Sequence, residues 1–131
     1  MLQKIVPETI MQPFNNAYSH GVLIPPNARV LHLSGQIGAR SDGVVPDDAE
    51  EQAENVWNNV LEIIKAADMT VENIVKLTAF IVDEAVFPFY AAARNRNLGG
   101  IKPPASTAIY VPRLVLPEWK IEVEAIAASV D

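Results

Sequence analysis

The sequence predicts an α/β fold of the two-layer kind, an α+β sandwich with two helices packed on one face of a mixed sheet. Three stretches carry that prediction. Apolar residues recur at three- and four-residue spacing from Asp48 to about Ala67, the mark of an amphipathic helix. A nearly continuous apolar run follows at Ile74–Val82, which suits a central strand with both faces covered. Side chains alternate along Val30–Ile37, as on a strand with two unlike faces. Few elements, with helices segregated from strands, suggest two layers. At 131 residues, half of them apolar and a fifth charged, the chain is expected to form one domain over residues 1–131.

Taken in order, the segment Met1–Pro13 has periodicity too weak to assign, although Ile5 and Ile10 can pack. Ser19–Ile24 and Val30–Ile37 read as strands joined by a turn at Pro25-Pro26-Asn27-Ala28. In the second strand Val30, His32, Ser34 and Gln36 share one face, and Leu31, Leu33, Gly35 and Ile37 the other. Gly35 marks a bulge or a close backbone approach. Asp42-Gly43 turns the loop Ala39–Pro46. Asp47 or Asp48 caps the first helix, and Glu50, Glu51 and Glu54 fall near its positive end. The apolar stripe comprises Ala49, Ala53, Val56, Trp57, Val60, Leu61, Ile64 and Ala67. Asn55, Asn58, Asn59, Glu62 and Lys65 mostly take the opposite side. Trp57 reads as a core anchor rather than a ligand platform.

Asp68-Met69-Thr70 ends this helix, and a short turn at Val71–Asn73 leads into the apolar strand. Phe87–Leu98 is a second helix. Pro88 fits its first turn, where no amide is needed, and Gly99-Gly100 stops it. Lys102-Pro103-Pro104 is a rigid connection to strands at Thr107–Val111 and Lys120–Ala128. In the last strand Lys120, Glu122 and Glu124 share one face, and Ile121, Val123 and Ala125 the other. The sheet face away from the helices also needs cover, and self-association supplies it most economically in so small a chain. His32, Ser34, Glu122 and Glu124 would then lie near a subunit interface.

Composition removes several functions. The chain has no cysteine, which excludes disulfides and thiolate chemistry. Its two histidines, His20 and His32, have no metal-binding spacing, so no metal site is expected. The net charge is -6 and no basic footprint exists, so nucleic acid is not an expected partner. Lys102, Arg113 and Lys120 are separated by apolar or acidic residues. No segment reads as a signal peptide or a membrane span, so no membrane partner is expected and the cytoplasm is the default location.

The residues able to do chemistry are few. Glu122 can orient water or accept a proton. With Glu124 it also reads as a wet sheet face or an interface ion pair. Ser106 and Thr107 follow a rigid Pro-Pro-Ala segment and can bind an anion or a carbonyl, or simply stabilise a turn. No nucleophile triad surrounds them. Tyr18 can gate a pocket or cover the core edge. His20 can titrate near neutrality, but an isolated histidine is more often structural. Arg113 can pair with an acid or clamp a substrate carboxylate. Arg94 and Arg96 point differently on their helix and read as solvated.

Six segments together form a recognisable pattern. They are Ala17-Tyr18-Ser19, Leu33-Ser34-Gly35-Gln36-Ile37, the helix Glu51–Ala67, the run from Ile74 to Asp83, Lys102-Pro103-Pro104-Ala105-Ser106-Thr107, and Ile121-Glu122-Val123-Glu124-Ala125-Ile126-Ala127. In this order the chain resembles the Rid family of reactive-intermediate deaminases, also written YjgF/YER057c/UK114, almost end to end. The resemblance implies a chorismate-mutase-like fold and a barrel-like homotrimer with helices outside and three clefts between subunits. It implies hydrolysis of a small imine or enamine to a carbonyl compound and ammonia, without cofactor or metal. Glu122 would position the water and Tyr18 would close the pocket. Ser34 and Gly35 would line it, with backbone near Thr107 and Ala108 touching substrate.

The match has departures. The deaminase branch carries Pro-Ala-Arg-Ser where this chain reads Pro104-Ala105-Ser106-Thr107. Ser106 therefore stands where the family arginine grips a substrate carboxylate, and a hydroxyl cannot supply that charge. Ala91 matches a position where many members have asparagine. Arg113 matches a common family arginine, in a loop with about two extra residues near Val115-Leu116. The departures imply an imine other than the amino-acid-derived ones, or a trimer that binds a small molecule without turnover. Endoribonuclease activity, a label attached to the family, fits the acidic charge worst.

Overall fold

The computed structural model describes residues 1–131. The elements are β1 (Gln3–Ile5), β2 (Gly21–Leu23), β3 (Arg29–Ile37), α1 (Ala49–Ala66), β4 (Ile74–Ile81), α2 (Phe87–Leu98), β5 (Ala105–Tyr110) and β6 (Ile121–Ser129). Single 3-10 turns stand at Phe14–Asn16 and Val71–Asn73. Four strands form the main sheet in the order β3-β6-β4-β5. β6 is antiparallel to both neighbours, whereas β4 and β5 run parallel. A parallel pair needs a crossover, and α2 supplies it. The sheet is thus mixed, with helices on one face, as the sequence predicts.

Why α1 forms is plain in its ends and its stripe. The Asp48 carboxylate accepts from the Glu51 amide at 3.1 Å, satisfying one of the donors that a helix start leaves free. Ala53, Val56, Trp57, Val60 and Ile64 are buried against Leu77, Ala79, Ile81, Val123 and Ala125 of the sheet. Leu61, expected in the stripe, is only half-buried. α2 starts with Pro88 in its first turn and breaks at Gly99-Gly100, where Gly100 takes a positive φ of 87°.

Four expectations change. The strand placed at Ser19–Ile24 shortens to β2, which leaves the main sheet and pairs with β1 in a two-stranded ribbon. Ser19 instead bridges to Ala105. Gln36 leaves the His32 and Ser34 face. The β3–β6 register slips between Leu33 and Gln36, setting Gln36 opposite Val123 and Ile37 opposite Glu122. A bulge counts two residues against one, so the alternation reverses beyond it. Asn55 and Asn59 do not face open water. Asn55 Nδ2 donates to Gly38 O at 3.0 Å, and Asn59 Nδ2 to Ile37 O and Ala39 O at 3.2 and 2.9 Å. Within the one chain β4 is covered on the helix face only, since Lys76, Thr78 and Phe80 stay half-exposed on the other.

Gln52 is the polar exception inside the stripe. It is fully buried, yet each of its amide groups is used. Nε2 donates to Pro46 O at 2.8 Å and Glu118 O at 3.1 Å, while Oε1 accepts from the Lys120 amide at 2.9 Å. It ties the loop before α1 to the loop before β6, and so sets where Glu122 begins its strand. Gly38 lets α1 come close enough, because a Cβ there would stand 2.7 Å from Gln52 Cα.

Candidate functional site

The first cluster lies where β3 and β6 meet. Glu122 sits on the open face, half-buried, in a row with Ile37 and Phe80. Its side chain lies directly over Gly35. A Cβ at residue 35 would fall on Oε2 and stand 2.8 Å from Cδ and 2.9 Å from Cγ. Gly35 is therefore both the bulge and the close approach that its position suggested. Ser34 is exposed beside it, and Gln36 Nε2 donates to the Ser34 carbonyl at 3.0 Å. Neither ion pair of the chain involves Glu122; Arg40 pairs with Glu51, and Arg96 with Glu54. Its carboxylate is left free of any protein hydrogen bond. Glu124 is exposed one row away, opposite Thr78.

The second cluster lies along β5, at the opposite edge of the sheet. The Ser19 amide donates to Pro104 O at 3.0 Å and its hydroxyl to Pro103 O at 2.6 Å, which pins Tyr18 beside the start of β5. Tyr18 is half-buried, edge-on to His20 with ring centroids 5.7 Å apart, and its hydroxyl accepts from the Phe14 amide at 3.4 Å. His20 has a structural task, since Nε2 donates to Met11 O at 2.7 Å. Thr107 pairs with Thr78 on the open face, and its hydroxyl accepts from Lys76 Nζ at 2.6 Å. Ser106 and Ala108 pair with Leu77 and Ala79, so both turn toward the helix side.

Glu122 and Ser106 thus occupy opposite faces of one sheet. Adjacent strands are about 4.8 Å apart, so β6 and β5 stand roughly 10 Å from each other. Within one chain the two clusters do not meet. Arg113 joins neither, because its guanidinium folds back on its own loop, donating to Leu114 O at 3.1 Å and Val115 O at 2.9 Å. No three histidine or acidic side chains converge to hold a metal ion, and no helix is long and apolar enough to cross a membrane.

Sequence reasoning missed a third group, on α2. Tyr90 is fully buried, stacked on Trp57 at 6.5 Å between centroids. Arg94, far from being merely solvated, lies over the Tyr90 ring with its guanidinium carbon 5.5 Å from the centroid. The Tyr90 hydroxyl is buried without a properly aligned hydrogen-bond partner, although Ser106 and Arg94 lie against it. Burial raises the phenol's pKa above its usual 10.0; the nearby Arg94 and Ser106 oppose the rise. The signal was available, since Tyr90 and Arg94 are four apart and so share a helix face.

A helix-backed mixed sheet with one free face, and a carboxylate laid over a strand bulge, defines the class of protein. The chain belongs to the Rid family: the profile described as endoribonuclease L-PSP matches residues 9–129. A rat 2-iminobutanoate/2-iminopropanoate deaminase is 32% identical over 136 aligned positions, covering 98% of this chain and 92% of the rat one. The Escherichia coli K12 protein of the same description is 35% identical over 106 positions, covering 75% of this chain and 78% of its own. The Rid-family crystal structure of YyfB from Yersinia pestis superposes with a TM-score of 0.87 at 30% identity, covering 98% of each chain.

Proposed function

We propose that this chain hydrolyses a small reactive imine or enamine to a carbonyl compound and ammonia. Its substrate differs from the amino-acid-derived imines of arginine-containing relatives, because Ser106 offers no charge. The observation that carries the reading is the free, half-buried Glu122 carboxylate held over Gly35 beside Ser34. Such a group can take a proton from water as the oxygen adds to the C=N carbon. The nitrogen accepts that proton, giving a carbinolamine; the remaining hydroxyl proton then passes through the same carboxylate to the nitrogen, the C–N bond breaks with its electron pair leaving on ammonia, and the C=O bond forms. Tyr18 covers the pocket, Ser34 and Gly35 line it, and Ser106, Thr107 and Ala108 contact the substrate. No cofactor takes part in this route. The relatives described as deaminases support the reaction class.

The site needs more than one copy. Its two clusters stand toward opposite edges of the sheet, with Glu122 on the open face and Ser106 on the helix face. A closed ring of three copies, helices outward, would bring the β3–β6 cluster of one to the β5 cluster of the next. It would also cover Val30 and Ile109, which are about half-exposed in the single chain. A cytoplasmic location is part of the same reading.

The test is ammonia release from imines generated in situ, neutral and acidic, with sedimentation to read assembly. A trimer should accelerate at least one imine over free hydrolysis. Glu122→Gln should lower that rate by roughly 100-fold or more, as expected for a lost general base. No acceleration on any imine, or full activity as a monomer, would overturn the proposal. The uncharged Ser106 favours a second reading, a trimer that binds a small molecule without turning it over. Saturable thermal stabilisation by a metabolite, with no turnover, would support it.

A further inference from the structure

We propose that Lys4 is a carbonyl-reactive amine: the cleft it shares with Lys102 takes a small aldehyde or ketone and holds it as an imine on Lys4. This site is separate from the hydrolytic one. The cleft is bordered by Ser129 at the end of β6, whereas Glu122 stands near the start of that strand. At about 3.3 Å per residue the two are roughly 20 Å apart.

The cleft has room for such a guest. Its volume is about 570 Å³, within the range of small-molecule sites. Leu2, Pro25 and Ile101 give it an apolar wall. Lys4 has a fixed address, since its backbone pairs with Val22 in the β1–β2 ribbon. Lys102 approaches from the segment before β5, where Pro103 O accepts from the Ser19 hydroxyl at 2.6 Å. Other polar groups of the cleft are already engaged. Asn73 Nδ2 donates to Ala128 O at 3.1 Å, and the Ser129 hydroxyl to the Asp131 carboxylate.

What singles out Lys4 is that nothing holds its charge. Lys76 Nζ donates to Thr107 at 2.6 Å and Lys120 Nζ to Asp47 O at 2.8 Å, while Lys65 and Lys102 are exposed. Lys4 is half-buried and its amine makes no hydrogen bond. Glu72 and Asp131 also border the cleft, yet the ion pairs of the chain are Arg40–Glu51 and Arg96–Glu54. Burial disfavours the ammonium and Lys102 repels it, so the Lys4 pKa lies below its ordinary 10.5. A lysine desolvated beside another cation is an activated nucleophile. Its neutral nitrogen adds to the carbonyl carbon as the C=O electron pair moves to oxygen. That oxygen takes both amine protons and leaves as water, and a C=N bond remains. Water reverses the step.

The experiment treats the full chain with propanal and cyanoborohydride, which reduces each imine to a stable alkylamine. Mass spectrometry of the digested protein, with fragment ions to separate Lys4 from the Met1 amine, reads the initial rate at every lysine. Near neutral pH, Lys4 should be alkylated severalfold faster than the exposed Lys65. Its rate should saturate with propanal while that of Lys65 stays linear. Lys102→Gln should slow Lys4 near neutrality and leave it unchanged at about pH 11, above the ordinary lysine pKa. Glu122→Gln should label as wild type does, so this readout stands or falls apart from imine hydrolysis. Lys4 reacting no faster than Lys65 overturns the proposal. A linear rate at Lys4 also overturns it, since no carbonyl compound would then be held in the cleft. So does an unchanged Lys4 rate in Lys102→Gln near neutrality.

Discussion

Replacing Gly35 with alanine adds one carbon where the Glu122 side chain lies. The new Cβ would stand 2.8 Å from Cδ and 2.9 Å from Cγ of Glu122. Carbon atoms pack best at about 3.5–4.0 Å, so the carboxyl group must withdraw by about 0.7 Å or more. The fold has little reason to suffer. Gly35 is not among the residues of positive φ, so alanine fits its backbone. Restricting the unfolded chain stabilises by about 0.4–1 kcal/mol, and turning one side chain off its rotamer costs about 0.5–1.5 kcal/mol. The two nearly cancel, leaving stability within about 1 kcal/mol of wild type. Activity behaves differently, because misplacing a reacting group by about 1 Å costs on the order of 100-fold. Initial rates of ammonia release and urea midpoints, measured on the same preparations, read both. If Glu122 is what moved, adding Glu122→Gln to Gly35→Ala should lower the rate little further. A rate within about twofold of wild type, in a protein whose midpoint has not changed, would refute the role given to Glu122.

Gly38→Ala should show the reverse profile. Its Cβ would meet Gln52 Cα at 2.7 Å and Gln52 O at 2.8 Å, and a helix backbone cannot swing aside. A loss of about 1–3 kcal/mol in urea denaturation is expected. Gln52→Leu should cost at least about 2 kcal/mol, with an unchanged denaturant slope, because the Lys120 amide and two carbonyls lose their partner. Lys102→Gln probes a pH effect. Burial first, and Lys102 second, hold the Lys4 pKa below its ordinary 10.5. The folded chain therefore binds this proton less firmly than the unfolded chain, and the penalty is complete at neutral pH. Lys102→Gln should raise the melting temperature near neutrality, with the gain shrinking as pH climbs toward 10.5. A gain undiminished at about pH 11, above the ordinary lysine pKa, would show another cause.

What the sequence made legible was whatever local chemistry decides. The apolar period from Ala49 to Ile64 produces a helix because one stripe faces the sheet. Gly35 was a legible signal because a glycine inside a strand marks a bulge or a close approach, and here the Glu122 side chain lies over it. The reversal at Gln36 was hidden, since a glycine shows that a strand bends but not how many residues are looped out. The β1–β2 ribbon was hidden because two three-residue strands owe their shape to each other. Gln52 was hidden for a related reason. A polar residue in an apolar stripe is buried only if distant backbone groups converge on it, and its partners Glu118 and Lys120 come from the other end of the chain. Of the residues the sequence nominated for the site, Glu122, Ser34 and Gly35 assemble within one chain. Tyr18, Ser106, Thr107 and Ala108 form a separate group, and Arg113 joins neither.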